Sequence, residues 1–207
     1  MVKAIKSILQ ALYPYGVFRA DRIGLTANGQ QPIVYLTFDD GPIPEVTPKV
    51  LAILDRYHIK ATFFMVGENV HKHPEVYRQV LAAGHSIGNH TYNHLKGWCC
   101  RFRTYRRNVS RFPVDTRLFR PPYGKATLLQ RWWLHRQGYR IIYWDILTKD
   151  YDASVTPEQM LSLIQRETRP GSIINFHDSL KSNERMLTVL PQAIEWLLAQ
   201  GYLLKAL

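Results

Sequence analysis

The chain has 207 residues, of which 46% are hydrophobic and 21% charged, and its formal net charge at pH 7 is +11. This length and an ordinary apolar content fit one globular domain with a sizeable core. The longest apolar runs are shorter than the roughly 18 residues of a membrane-spanning helix, so no transmembrane segment is expected.

The first thirty residues are interpreted as an N-terminal arm, and residues 31–207 are predicted to form a single domain. Before Leu25 the chain carries Lys3, Lys6 and a short mixed stretch that residues 13–16 (YPYG) interrupt, without a small-residue cleavage site. This is a poor secretory signal. We interpret it as an amphipathic arm or as an outer cap on the bottom of a barrel.

Short apolar segments alternate with amphipathic ones along the rest of the chain, which predicts a parallel α/β sheet. Strands are predicted at 33–38, 61–66, 86–88, 117–119, 140–144, 172–176 and near 202–205, and helices at 45–57, 74–83, 102–110, 126–137, 157–167 and 182–199. Polar motifs follow the strand ends, where a (β/α) barrel keeps its site. We therefore expect a distorted (β/α) barrel of about seven parallel strands. An open Rossmann-like sheet is the alternative, although no GxGxxG follows the first strand.

Two adjacent acids, Asp39 and Asp40, close the first predicted strand within the run TFDDGP (37–42). Buried carboxylates are costly unless they are paired. Neighbouring strand residues point to opposite sides, so one acid could hold a cation while the other moves a proton. An acidic strand-to-loop turn is the plainer interpretation of this run taken alone.

Two histidines, His90 and His94, are spaced four residues apart in HTYNH (90–94). On a helix or a helical turn this spacing puts both rings on one face, which suits one divalent metal. Asp39 or Asp40 would complete a set of two His and one Asp. Three protein ligands leave positions open, as in catalytic sites.

A rigid loop and a further strand end supply candidate catalytic groups. In RPPYG (120–124) two prolines stiffen the backbone, and the loop could aim a backbone N–H at developing negative charge. Arg120 could brace a carboxylate bidentately. His177, at the end of an apolar strand, has the near-neutral pKa that a proton donor needs.

These motifs, in this order, resemble those of the polysaccharide deacetylase family, the NodB-homology domain of carbohydrate esterase family four. TFDDGP, HTYNH, RPPYG and FHD (176–178) carry the resemblance, which runs from about Val34 to the C-terminus. ATFFMVG (61–67) and GHSIGNH (84–90) also look like the family.

The resemblance implies a role for each matching residue. Asp39 corresponds to the catalytic base, which Arg120 braces, and His177 to the catalytic acid. The metal triad corresponds to Asp40, His90 and His94. The backbone N–H of Tyr123 corresponds to a donor to the oxyanion. Asp150 aligns with the acid that orients the catalytic His, and its register favours it over Asp145.

Three positions depart from the family pattern. Leu147 stands where a second acid is usual, and Tyr151 where Trp is usual. Asn175 replaces a Leu that lines the acetyl pocket in the family, so it makes the pocket more polar or else turns toward a hydrogen bond and leaves space. Pro42, Tyr151 and Asn175 are taken as substrate-binding residues.

The resemblance implies a metal-dependent hydrolase that removes N-acetyl groups from a glycan such as peptidoglycan or an N-acetylglucosamine polymer. One divalent ion is expected, zinc by preference, with cobalt, nickel or manganese as alternatives. Two other functions stay open: a metal-dependent amidase of the same scaffold acting on a small non-sugar amide, and a non-catalytic glycan-binding protein.

Basic residues are concentrated in one stretch, with seven Arg from Arg101 to Arg120. Interleaved aromatics (Phe102, Tyr105 and Phe112) are typical of nucleic-acid binding, but a solvated helix face with inward aromatics is the preferred interpretation. No nucleic-acid partner is expected, although the charge would attract anionic surfaces or glycans. Cytoplasmic and envelope-peripheral locations both stay open, and so does the oligomeric state.

Overall fold

A computed structural model describes residues 13–20 and 31–207 of the chain. These residues contain nine strands: β1 Gly16–Val17, β2 Ile33–Asp39, β3 Thr62–Met65, β4 Ser86–Asn89, β5 Leu118–Phe119, β6 Arg140–Ile142, β7 Ile146–Leu147, β8 Ile173–His177 and β9 Leu203–Leu204. The α-helices are α1 Thr47–Arg56, α2 Gly67–Lys72, α3 Pro74–Ala82, α4 Phe102–Ser110, α5 Leu128–Arg136, α6 Pro157–Glu167 and α7 Asn183–Ala199. Two 3₁₀ turns lie at Gly97–Cys99 and Pro122–Gly124.

The strands form one parallel sheet in the order β1-β6-β5-β4-β3-β2-β8-β7, with β9 beside β2. The chain passes from β6, near one end of this order, to β7, at the other end, within residues 143–145. An isolated antiparallel bridge also joins Arg19, just after β1, to Ser172, just before β8. The two ends of the sheet therefore curl toward each other, which confirms the distorted barrel and not an open sheet.

The alternation of β2 sorts its side chains between two layers. Val34, Leu36 and Phe38 belong to the large core that the sheet shares with the outer helices. Ile33 and Tyr35 belong to a smaller cluster with residues of β3, β5, β6 and β8, which is the barrel interior. Because side chains alternate with a period of two, Thr37 and Asp39 follow Tyr35 into that interior.

Most predicted elements are confirmed, with shifts of one or two residues at their ends. Helix α6 matches the predicted range, because Pro157 occupies its first turn and Thr156 caps it through a hydrogen bond from the backbone N–H of Gln159. The sequence analysis missed β1, β7 and α2, whose lengths of two, two and six residues give little periodicity to detect.

Only residues 13–20 of the predicted arm are described, and the remainder of 1–30 lies outside the described residues. In this piece Gly16 and Val17 pair with β6, so it extends the sheet. Tyr13, Tyr15 and Phe18 pack against the cluster around Tyr143. The division into an arm and a domain at residue 30 stays a prediction.

The basic stretch forms α4 and its flanks. Tyr105 is buried, while Arg103, Arg106 and Arg107 are exposed, as expected for a solvated helix with inward aromatics. Within residues 13–20 and 31–207, no helix combines the length and apolar character needed to cross a bilayer.

Candidate active site

Polar side chains converge at the carboxyl ends of four strands. Asp39 ends β2 and His177 ends β8, and the two residues are register partners in this parallel pair. His90 follows β4, and Arg120 follows β5. The site therefore lies at the end of the barrel where (β/α) folds carry their chemistry, as predicted.

Asp39 is a buried carboxylate held from both sides. Its Oδ1 accepts a hydrogen bond from Arg120 Nη1 at 2.7 Å, and its Oδ2 accepts one from Asn175 Nδ2 at 3.0 Å. Burial alone would raise the pKa of Asp39, but the charges of Arg120 and His177, with the hydrogen bond from Arg120, hold it below its usual value. Asp39 is thus kept ionised and fixed in orientation.

Arg120 is fully buried in the barrel interior, and the fold supplies acceptors for it. Its Nε and Nη2 donate to the carbonyls of Ile142 and Tyr143 at 3.2 and 2.8 Å. Its Nη1 also contacts Thr37 Oγ1 and Asn175 Oδ1, and the guanidinium lies 4.1 Å above the ring of Phe64. A buried cation needs such pairing, so this cluster is a rigid support for Asp39.

Asp40 lies beside both histidines of HTYNH. Its Oδ1 is 3.7 Å from His90 Nε2 and 3.2 Å from His94 Nε2, and one ligand atom from each of the three residues falls within 4.8 Å of the others. Asp40 Oδ1 is shielded from solvent yet forms no well-aligned hydrogen bond within the described part of the chain. A divalent ion satisfies such an oxygen, and two imidazoles with one carboxylate are a common catalytic zinc set.

His90 is prepared to act as a ligand. Its Nδ1 lies 2.8 Å from the carbonyl oxygen of Arg120, which can only accept, so Nδ1 carries the proton and Nε2 offers a lone pair toward Asp40. Burial lowers the pKa of His90 to about 4, which keeps the ring neutral. The residues present therefore fit a divalent metal ion.

The helical placement of the His pair is wrong. Residues 90–94 form a loop after β4, with left-handed φ values of 65° at Thr91 and 57° at His94. Side chains from outside the segment stabilise this loop: Asn108 Oδ1 accepts from the Tyr92 N–H at 2.8 Å. Because Asn108 belongs to α4 and is distant from Tyr92 in the sequence, spacing alone could not reveal the loop.

His177 is coupled to Asp150 through two contacts. Asp150 Oδ1 lies 2.7 Å from His177 Nδ1, and Asp150 Oδ2 accepts the backbone N–H of His177 at 2.7 Å. Burial alone would lower the pKa of His177, but the hydrogen bond and charge of Asp150, with Asp39 and Asp40, raise it to about 9. Asp145 instead binds Arg169 and Ser172, at 2.7 and 2.6 Å.

The remaining predicted residues differ in exposure. Tyr123 is 59% exposed, and its ring meets that of His94 edge-on with centroids 4.7 Å apart. Tyr151 is 42% exposed and its ring lies edge-on to His177. Pro42 is buried after the acidic pair. Asn175 has no exposed surface: it has turned toward hydrogen bonds, the second of the two predicted outcomes, and it contacts Asp39 rather than open space.

Sequence reasoning gave no role to Asp178. Its Oδ1 accepts the Gly41 N–H at 3.0 Å, its Oδ2 accepts the Thr47 hydroxyl at 2.6 Å, and its own N–H donates to the Asp39 carbonyl. A Cβ at position 41 would lie 2.0 Å from Asp178 Oδ2, so the turn after Asp40 requires glycine. Burial raises the pKa of Asp178 to about 8, against the effect of its hydrogen bonds from Thr47 and Gly41. The FHD motif (176–178), which ends in Asp178, was the feature of the sequence that could have pointed to this residue.

Comparison with known proteins agrees with this geometry. Residues 26–142 match the family model described as polysaccharide deacetylase. The chain belongs to this family. A peptidoglycan-N-acetylglucosamine deacetylase of Bacillus cereus is 34% identical over 154 residues, which cover 70% of the chain and 56% of that relative. The match thus spans little more than half of that protein. A chitooligosaccharide deacetylase of Azorhizobium caulinodans is 32% identical over 197 residues, covering 86% of the chain and 93% of that relative.

Among solved structures, a peptidoglycan N-acetylglucosamine deacetylase in complex with 4-naphthalen-1-yl-N-oxidanyl-benzamide superposes with a TM-score of 0.85 at 29% identity. The superposition covers 93% of the chain and 91% of that structure. This likeness supports the barrel fold assigned above. In this family member Asn175 donates a hydrogen bond to Asp39, and Leu147 belongs to β7.

Proposed function

We propose that this protein is a metal-dependent N-deacetylase that hydrolyses the acetamide of an N-acetylated glycan. The observation that carries the proposal is the juxtaposition of two proton-transfer groups of opposite kind beside the metal-ligand set. Asp39 is held ionised by Arg120 and Asn175, while the pKa of His177 is raised to about 9 by Asp150. A base and an acid poised in this way suit amide hydrolysis near neutral pH.

We propose Asp40, His90 and His94 as the ligands, and zinc as the ion, with cobalt, nickel and manganese as alternatives. A divalent ion bound there supplies Lewis-acid polarisation of the amide carbonyl. The coordination chemistry fits zinc because neutral imidazole and carboxylate are both common zinc ligands. Tyr123, Tyr151 and Pro42 stay candidates for contacts with the substrate.

The chain's own residues then carry the proton transfers. Asp39 Oδ takes a proton from the attacking water, and Arg120 and Asn175 keep that carboxylate oriented. The backbone N–H of Tyr123 is the proposed donor to the oxyanion of the tetrahedral intermediate, a donor type worth about 3–4 kcal/mol of barrier in other hydrolases. His177 Nε2 donates a proton to the leaving amine, because an amine anion is not a viable leaving group.

An amidase acting on a small non-sugar amide is the alternative that the sequence left open on account of Asn175. Since Asn175 is buried and bonded to Asp39, it no longer favours that substrate. A purely glycan-binding role gains no support from a buried base, a paired acid and a metal-ligand set in one site.

Acetate release tests the proposal directly. The zinc-loaded protein should release acetate from N-acetylglucosamine oligomers or from peptidoglycan, and the product should carry free amines. Small non-sugar acetamides serve as the comparison. Hydrolysis of those amides without any release from glycans would contradict the proposal and favour the amidase.

Asp150→Asn should move the alkaline limb of the rate profile to lower pH. His177 must be protonated to donate, so activity falls as pH rises through its pKa of about 9. Removing the anion leaves burial as the dominant influence, which lowers that pKa. A hydrogen bond to a charged group is worth about 1.5–3 kcal/mol, so we expect a shift of at least about one pH unit.

Asp145→Asn is the matched control, because Asp145 binds Arg169 and Ser172 and does not contact His177. Its profile should keep the wild-type limb. If Asp145→Asn shifts the limb while Asp150→Asn leaves it in place, Asp150 does not have the proposed role.

A further inference from the structure

An exposed aromatic strip runs away from the candidate site. It begins at Tyr123, whose ring contacts His94, and continues through Lys96, Trp98 and Lys125. The Lys96 ammonium lies 5.7 Å from the Tyr123 ring centroid, and the Lys125 ammonium lies 4.3 Å from that of Trp98. Trp98 is 55% exposed, so a large apolar ring faces solvent next to a cation.

Backbone contacts hold this strip in place. The Gly97 N–H donates to the Lys125 carbonyl at 3.1 Å, and Gln130 Nε2 donates to the Gly97 carbonyl at 2.9 Å. A Cβ at Gly97 would lie 2.5 Å from Gln130 Oε1 and 2.6 Å from the Lys125 carbonyl oxygen. The close approach of the Gly97 backbone to Lys125 and Gln130 therefore requires glycine. The strip is therefore held in one conformation before any ligand binds, which lowers the entropic cost of binding.

A groove of about 650 Å³ lies beside Trp98. It is lined by Tyr13, Trp98, Ala126, Thr127, Leu128 and Arg131. Leu128 is 59% exposed, so the groove offers apolar surface together with hydroxyl and cationic groups. Its lining suits a sugar ring, which has an apolar face and a polar rim.

The strip belongs to a strongly basic part of the sequence. Between Val76 and Trp144 the sequence contains thirteen Lys and Arg residues and a single acid, Asp115. Asp115 precedes β5 and so lies toward the amino end of that strand, whereas the site lies at the carboxyl ends. Lys96 and Lys125 form no ion pair with a carboxylate of the described segments. The strip is therefore complementary to an anionic ligand.

We propose that the strip formed by Lys96, Trp98, Tyr123 and Lys125 is a binding subsite for the glycan strand beyond the reacting sugar, and that it favours strands carrying carboxylates over neutral ones. This inference rests on the proposed function. Trp98 and Tyr123 supply the surfaces on which sugar rings stack. The two ammonium groups pair with carboxylates attached to the strand, and continuity with His94 places the next sugars of the bound strand along the strip.

The test compares two soluble substrates of equal length: an oligomer bearing carboxylates and a neutral N-acetylglucosamine oligomer. The wild type should show the higher kcat/KM on the acidic one. In the Lys96→Gln/Lys125→Gln variant, kcat/KM should fall about three- to tenfold on the acidic oligomer, as expected for the loss of two exposed ion pairs. It should change little on the neutral oligomer. In Trp98→Ala, kcat/KM should fall about fivefold or more on both oligomers, because the sugar rings of either one lose the surface on which they stack.

Lys60→Gln/Lys205→Gln is the matched control, since it removes the same charge from two exposed lysines, of which Lys60 precedes β3 and Lys205 follows β9. Its kcat/KM on each oligomer should equal that of the wild type. Equal kcat/KM values on both oligomers in the wild type, or equal losses in the two double variants, would overturn the inference.

Binding measured without turnover separates this inference from the proposed function. Asp39→Asn protein should bind the acidic oligomer more tightly than the neutral one, and adding Lys96→Gln/Lys125→Gln should abolish the difference. Absence of any deacetylation with this binding pattern intact would refute the catalytic proposal alone. Lysine-dependent binding to anionic lipid vesicles in place of the acidic oligomer would refute the subsite.

Discussion

Replacing both His90 and His94 with alanine should abolish stoichiometric metal and with it nearly all activity. The two imidazoles provide two of the three ligand atoms that lie within 4.8 Å of one another, and Asp40 alone cannot hold a divalent ion tightly. Because the ion is expected to contribute several kcal/mol to the barrier, the rate should fall by a factor of about 10³ or more. Elemental analysis of the dialysed protein measures the metal, and acetate release measures the rate.

The double variant His71→Ala/His135→Ala is the control, because both of these histidines are exposed and lie outside the site. It should keep one metal ion per chain. If His90→Ala/His94→Ala still retains one zinc per chain after dialysis, the ligand assignment is wrong.

Asp39→Asn should keep the metal and lose nearly all turnover. The carboxylate contacts Arg120 and Asn175 and is not among the grouped metal ligands, so its loss removes a proton acceptor and not a ligand. General-base catalysis contributes about 10²–10⁴ in rate, which sets the expected loss. Metal content and acetate release measured on the same preparation distinguish the two effects.

Asp40→Asn is the contrasting variant, since it should weaken metal binding first and recover activity partly when zinc is raised. Stability needs a parallel measurement, because removing one partner of a buried ion pair can cost about 3–5 kcal/mol. Thermal unfolding of Asp39→Asn shows whether the fold survives with Arg120 unpaired. Full metal occupancy with activity reduced only a few fold would contradict the role of Asp39 as base.

The local sequence predicted most of the secondary structure and singled out the polar residues that converge at the candidate site. The alternation of apolar and amphipathic segments predicted a parallel α/β sheet, because periodicity records which face each element buries, and the polar motifs at the strand ends favoured a barrel over an open sheet. The TFDDGP run was enough to mark Asp39 and Asp40, since carboxylates at a strand end need partners. Alignment with the family motif favoured Asp150 over Asp145 as the acid that orients His177. The contact between Asp150 and His177 agrees with that choice.

Only the tertiary structure decided how these groups are held. Asn175 is hydrogen-bonded to Asp39 and does not line an open pocket. Pairing of β8 with β2 brings its side chain beside Asp39 and Arg120 in the barrel interior. Asp178 fixes the turn at Gly41 through contacts between residues more than a hundred positions apart. The loop that carries His94 depends on Asn108 in α4. Sequence patterns report local periodicity and residue chemistry, whereas these hydrogen bonds exist only after distant strands and loops have packed together.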